Sequence, residues 1–376
     1  MASELQLDSL EIVGFRAFEK LQINRFGRVN LIVGKNNVGK SSVLEAIRLV
    51  ADRGSPSTIM NILRNREELR GGDEMDGMDD AINSVSSLFF GRAPFDGSNP
   101  PMAQIGPLQG DAERVTLSLV PVFRSVDDEG RVFVREWDLT QGENVDESLP
   151  ALLVSCGENR SLLPLDRFVR ISPATPRWRL SKEMDDRVMP YTIVSANDSS
   201  DQHSASSWDR ITLTSLEGDV LDALRVIEPS VERLSLIGQG AGRSVTRTFL
   251  AKLATVDQPV PLKSLGEGMS RILHIALSLV NSKGGFVLID EIENGIHYSV
   301  QESMWRMVFE VATRLGSQVF VTTHSWDCLS AFQEVAKQHP EEGVLIRLER
   351  RSEGIVAVEF DEEELAVVTR EEIEVR

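Results

Sequence analysis

Gly34-Lys35-Asn36-Asn37-Val38-Gly39-Lys40-Ser41-Ser42 fits the phosphate-binding pattern G-x-x-x-x-G-K-[ST]. Val29-Asn30-Leu31-Ile32-Val33 before it reads as a buried strand, and Val43 to Val50 after it as a helix. Strand, loop and helix in that order are the context the pattern needs. The glycines let backbone N–H groups curl around phosphates, and the helix N-terminus adds its positive end. In that frame Gly34, Asn36, Asn37, Val38, Gly39, Lys40, Ser41 and Ser42 line an ATP phosphate site. Lys40 reaches the β- and γ-phosphates and Ser41 ligates Mg²⁺. The competing reading, a chance Gly-rich turn, leaves the flanking strand and helix unexplained.

Three further elements lie downstream. Gly285-Phe286-Val287-Leu288-Ile289-Asp290-Glu291 is a short apolar run closing on two carboxylates. Such a run suits a central parallel strand, whose C-terminal tip is where open α/β sheets bind ligands. Asp290 there holds Mg²⁺ through water and Glu291 polarises an attacking water. An ordinary strand with an acidic turn is the plainer alternative. Between the two halves, Leu262 to Arg271 places Ser264, Gly266 and Gly268 at the opening of an apolar helix, Ile272 to Val280. Free N–H groups, a hydroxyl and a dipole end can bind an anion there. They cannot share phosphates already held by the loop of their own subunit, so the useful geometry is in trans. A helix N-cap by Ser264 or Ser270 is the bland alternative. Finally, Gln318-Val319-Phe320-Val321-Thr322-Thr323-His324-Ser325 is a second β-rich run ending at a histidine, placed to sense the γ-phosphate. His203, His274 and His339 read as structural.

Four elements in this order resemble the ABC-type ATPase heads of RecF, SMC proteins and the OLD (overcoming lysogenisation defect) nucleases. Leu10-Glu11-Ile12-Val13-Gly14-Phe15-Arg16-Ala17-Phe18 resembles their first strand, and Ser264 to Gly268 a variant signature. Ile289 to His297 is similar to the acidic strand and D-loop of OLD-like ATPases, and Thr323-His324-Ser325 to their switch histidine. Pro261 to Phe332 looks closest to stand-alone, Toprim-less OLD-like ATPases of bacterial phage-defence operons. The resemblance implies an α/β P-loop ABC head: a mostly parallel sheet, an antiparallel β layer and a helical signature lobe. It implies ATP and Mg²⁺ as cofactors, Lys40, Glu291 and His324 as catalytic groups, and Ser41 and Asp290 as metal ligands. Leu265 and Glu267 stand where transporters have Gly and Gln, the D-loop lacks a Leu-Asp pair, and only Gln104 and Gln109 offer themselves as a Q-loop.

The chain has 376 residues and a net charge of −18. That acidity disfavours loose binding to nucleic acid without excluding a local basic groove. Cys156 and Cys328 are the only cysteines, far apart and without metal spacing, which suits a reducing cytoplasm. The first residues lack a secretory pattern and no apolar run reaches membrane length. The expectation is therefore a cytoplasmic protein without a membrane partner.

About 220 residues separate the two halves, far more than an ordinary connection. The domain reading is one ABC head over 1–376. It comprises an N-terminal P-loop part at 1–55, an inserted β layer and helical region at 56–240, and a C-terminal part at 241–376. Within the insert, Gly71 to Asp80 reads as an acidic loop and Val115 to Val120 as a half-buried strand. Asp127 to Gly130 reads as a turn, Val132 to Trp137 as its return strand, and Asp219 to Ile227 as an amphipathic helix. Arg167, Phe168, Arg170, Arg177, Trp178 and Arg179 interleave guanidinium and aromatic groups, which can grip nucleic acid. Arg64, Arg66 and Arg70, broken by Glu67 and Glu68, read as a helix face. Only about 40 residues follow the last strand–helix unit, below domain size, so no nuclease is expected here. The acidic Glu362 to Glu364 and Glu371-Glu372 read as a solvated tail.

Together these features predict an ATPase that closes as a homodimer or an assembly of dimers on binding ATP. As a sensor subunit in anti-phage defence it would control a separately encoded nuclease or toxin. The rival is a RecF-like repair ATPase that grips DNA directly. A third class, an interaction protein with a dead ATPase, is disfavoured by the intact Lys40, Asp290, Glu291 and His324.

Overall fold

The apolar run ahead of the phosphate loop is a strand buried along its whole length. The computed structural model describes residues 5–69, 77–93, 95, 100–110, 113–126, 132–136, 148–166, 188–196, 201–239, 246–339 and 341–360. In chain order the elements are β1 (Leu10–Phe15), β2 (Phe18–Ile23), β3 (Val29–Gly34), α1 (Lys40–Ala51), α2 (Pro56–Asn65) and α3 (Met78–Ser86). Then come β4 (Met102–Gly106), β5 (Val115–Val126), β6 (Val132–Glu136), β7 (Leu149–Cys156), β8 (Asn159–Pro164) and β9 (Tyr191–Val194). A helical stretch follows with α4 (Asp201–Ile211), α5 (Leu216–Ile227), β10 (Val231–Gln239), β11 (Thr246–Leu253), β12 (Val260–Pro261) and α6 (Glu267–Asn281). The last elements are β13 (Phe286–Ile289), α7 (Tyr298–Leu315), β14 (Gln318–Thr322), α8 (Trp326–Ala336), β15 (Gly343–Arg351) and β16 (Gly354–Phe360).

The central sheet runs β16-β15-β3-β14-β13-β9 and is parallel except for β16. Its inner strands are apolar without alternation because both faces are covered. Successive side chains still point to opposite faces. Leu31, Val287, Ile289, Val319 and Val321 enter the core under α4 to α8. Ile32, Phe286, Leu288, Phe320 and Ile346 enter the core that contains α1 to α3 and the antiparallel strands. This is an α/β P-loop head with layers on both faces of one sheet. Phe320 is fully buried and meets Phe26 and Phe286 edge-on at 5.0 and 5.5 Å. Phe320→Ala should therefore cost about 3–5 kcal/mol, read as a lower urea midpoint at unchanged slope.

The antiparallel layer runs β2-β1-β4-β5-β7-β8, with β6 on β5. It recruits two strands from before the phosphate loop, so it is not confined to the insert. Conversely, β9 leaves the insert to pair with β13 in the central sheet. The expected first strand, Leu10 to Phe18, is broken at Arg16, which turns the chain with φ 53. Asp79 and Asp80 belong to the first turn of α3 rather than to a loop, where carboxylates complement the helix dipole. Residues 71–76, the turn at 127–130, Trp137, the arginine–aromatic stretch Arg167 to Arg179 and the acidic residues beyond 360 lie outside the described residues. Among the described residues no helix is long and apolar enough to cross a membrane.

Candidate active site

The parallel pairing of β3 with β14 and of β14 with β13 brings three strand tips to one edge. The phosphate loop leaves the tip of β3 and enters α1 at Lys40. Gly39 caps that helix at φ 91 and no side chain caps its first turn, so the first N–H groups remain for an anion. A Cβ at Gly39 would lie 2.6 Å from the Phe18 ring, so only glycine fits. Lys40 is buried, and its Nζ donates to the carbonyls of Gly34 at 2.7 Å and Lys35 at 3.0 Å. Burial lowers the pKa of its ammonium, while Asp290, Glu291 and Glu293 pull it back up. On the solvent side, Arg350 donates to the Asn37 carbonyl at 3.2 Å, tying β15 to the loop.

Across the edge, Ser41 donates to Asp290 Oδ2 at 3.1 Å, joining residues 249 positions apart. Thr322 donates to Asp290 Oδ1 at 2.5 Å and accepts from the Glu291 N–H at 2.9 Å. Glu291 has φ 50, a conformation that side chains rarely adopt. Asn294 donates to its Oε2 at 2.9 Å, and His324 Nε2 lies 3.4 Å from its Oε1. The His324 N–H donates to Glu293 Oε1 at 2.8 Å. Lys40, Ser41, Glu291, Glu293 and His324 all line a cleft of about 800 Å³.

The Ser41 hydroxyl and the Asp290 carboxylate are hard oxygen donors, which suits Mg²⁺. That cation takes few protein ligands and completes its octahedron with water and phosphate oxygens. No cluster of three or more His, Cys, Asp or Glu able to cage a metal occurs among the described residues.

The turn from Ser264 to Gly268 lies elsewhere. Ser264 sits in a short 3-10 turn, Leu262–Leu265, Gly266 caps α6, and Gly268 is in its first turn. Ser264 and Gly266 are exposed, and none of the three lines the cleft. Neither Ser264 nor Ser270 is the cap. Gly268 packs closely, since a Cβ there would lie 3.0 Å from the Gly295 carbonyl oxygen. Gln104 pairs with Val13 inside the antiparallel sheet and Gln109 is exposed; neither lines the cleft. His274 is buried in α6 and His339 stacks on Phe309. The side chain of His203 lies outside the described residues.

Four residues join the site without a sequence signal of their own. Thr322 and Asn294 hold the two carboxylates, as above. Arg271, one turn into α6, donates to the carbonyls of Ser195 at 2.7 Å and of Asp290 and Glu291 at 3.2 Å. Arg66 is not on a helix face. It lies just past α2, lines the cleft, and reaches Glu45 at 2.6 Å and Ser42 at 3.2 Å. Arg64 does remain on α2, bonded to Asn61, while Arg70 lies outside the described residues.

Residues 6–87 match the family model described as "AAA ATPase domain", and residues 159–327 the one described as "AAA domain, putative AbiEii toxin, Type IV TA system". The first segment contains the phosphate loop and the second contains Ser264, Asp290, Glu291 and His324. A Helicobacter pylori protein named ATP/GTP phosphatase is 21% identical over 355 residues, 88% of this chain and 89% of that one. The DNA replication and repair protein RecF of Clostridioides difficile is 43% identical over 47 residues, 12% of this chain and 13% of its own. The solved structure of an SMC head bound to the C-winged helix domain of ScpA superposes with a TM-score of 0.51 at 16% identity, covering 95% of this chain and 98% of that one. The chain is an ATPase, and its α/β P-loop fold is that of an SMC head.

Proposed function

We propose that ATP binding closes two of these heads against each other and that hydrolysis reopens them. The observation that carries this is the separation of the cleft from the Ser264–Gly268 turn. Ser41, Asp290, Glu291 and His324 converge on one cleft, while Ser264 and Gly266 are exposed outside it. A partner subunit's cleft is the surface that such a turn can complete, and a symmetric dimer supplies two. Lys40 and the α1 N-terminus bind the β- and γ-phosphates. Ser41 and Asp290 would hold Mg²⁺, which would supply positive charge to the phosphate oxygens when bound. Glu291 accepts a proton from the attacking water, whose oxygen bonds to the γ-phosphorus as the bond to the β–γ bridging oxygen breaks. His324 hydrogen-bonds the γ-phosphoryl oxygens. His324→Ala should then lower kcat about 10–100-fold, the value of a hydrogen bond to a charged group, while ADP affinity stays near wild type. A variant that only melts earlier would return His324 to a structural role.

The dimer is tested by light scattering of the Glu291→Gln protein with and without ATP. A mass that doubles only with ATP supports closure, and a nucleotide-independent mass rejects it. In biological terms we read the chain as the ATPase or sensor subunit of a defence system restraining a separate nuclease or toxin. The toxin–antitoxin description of the family matched over 159–327 supports that reading. Co-purification of a neighbour-encoded effector, released or retained according to nucleotide, is its test. The RecF match favours a second reading, direct DNA binding in repair. Tight, salt-dependent DNA binding without an effector would select it.

A further inference from the structure

Thr322 is a fully buried residue at the tip of β14, and its single hydroxyl serves two partners. It has one proton to give, and that proton goes to Asp290 Oδ1 at 2.5 Å. A lone pair is therefore left for the Glu291 N–H at 2.9 Å. The donation occupies Oδ1 and leaves Oδ2 as the oxygen nearer Ser41, at 3.1 Å. The acceptance fixes the amide of a residue whose φ of 50 is held only where the surroundings impose it. The Thr322 carbonyl also accepts from the Ile292 N–H at 3.3 Å. Three consecutive residues of the acidic turn, Asp290 to Ile292, thus bond to one threonine. Two positions on, the same chain carries His324.

We infer that Thr322 is a positioning residue that aims both carboxylates, orienting Asp290 toward the metal site and Glu291 toward the water. The inference rests on the roles proposed above for those two residues. A valine has nearly the same shape but no hydroxyl. It would free the Asp290 carboxylate to rotate and deprive the Glu291 amide of its acceptor. Outer partners of metal ligands of this kind are worth about 10–100-fold in affinity or activity.

The test measures Mn²⁺ affinity by EPR in the Glu291→Gln protein with ATP, where no turnover interferes. Thr322→Val in that background should weaken Mn²⁺ binding about 10–100-fold, and Thr322→Ser should restore it. With Glu291 intact, Thr322→Val should lower kcat by a similar factor with little change in KM for ATP. Unchanged Mn²⁺ affinity and kcat would overturn the inference. If the valine variant does not fold, Thr322→Ala and Thr322→Ser are compared, since they differ by the hydroxyl alone; equal Mn²⁺ affinities then overturn it. Asp290→Asn separates the two levels. If it leaves Mn²⁺ affinity intact, the metal-site reading fails and the inference fails with it. If it weakens Mn²⁺ binding while Thr322→Val does not, only the role of Thr322 is lost.

Discussion

Glu291→Gln should bind ATP at near wild-type affinity and turn it over about 10²–10⁴-fold more slowly, the usual worth of a positioned general base. The substitution is close to isosteric, and the surrounding bonds can survive it. Asn294 donates to Oε2 at 2.9 Å, which an amide oxygen can still accept. The new NH₂ then faces His324, 3.4 Å from the other carboxylate position, where a neutral ring nitrogen can accept. The backbone does not depend on the side-chain charge, because Thr322 and Arg271 hold it through the amide and carbonyl. What disappears is the capacity to take a proton. The expected signature is therefore a kcat effect with ATP affinity preserved, read by equilibrium binding of labelled ATP beside steady-state phosphate release. Near-normal hydrolysis would remove Glu291 from the mechanism.

The parts of this site that could be read in the sequence are those whose chemistry is local. The phosphate loop is legible because a tight turn under a helix N-terminus demands glycine at Gly39 and a cation at the next position. The Asp290-Glu291 pair is legible because two carboxylates after a fully apolar strand have few other uses. His324 is legible by its place one strand–helix unit later. Thr322, Arg271, Asn294 and Arg66 carry no such mark. Thr322 looks like any β-branched strand residue, and its role depends on a neighbouring strand 31 positions away. Arg271 looks like the polar side of an amphipathic helix until the fold places it 76 positions back, against the Ser195 carbonyl. Arg66 was masked by alternating charges that suggested solvent, although α2 had already ended at Asn65. The same limit applies to β9. Four partly apolar residues announce no partner, and only pairing with β13 makes them part of the central sheet. Likewise β1 and β2 precede the loop in sequence but belong to the other layer, because sheet membership is decided by which edge is free.

Ser264→Arg should abolish turnover while leaving ATP binding intact, and Lys40→Ala should abolish turnover and weaken ATP binding about 30- to 5,000-fold. The contrast follows from position. Lys40 is buried at the cleft, with Nζ now spent on two loop carbonyls. Its removal takes away the fixed cation on the β- and γ-phosphates, a loss of about 2–5 kcal/mol for a desolvated charged contact. Ser264 is exposed and outside its own cleft, so a long cation there cannot disturb the nucleotide of the same subunit. In the proposed dimer it obstructs the surface that the other subunit approaches. Mixing the two inactive proteins sharpens the point. In a heterodimer with one lesion on each chain, one composite site contains both lesions and the other contains neither. If one intact site can turn over alone, activity returns on mixing, to about a quarter of wild type when half of the dimers are mixed and each has one of two sites working. If the sites are obligately coupled, ATP affinity still reports the lesions separately: it is kept in Ser264→Arg and weakened in Lys40→Ala. Full activity of Ser264→Arg by itself would remove the Ser264–Gly268 turn from the proposed interface, and ATP-driven closure would lose the observation that carries it.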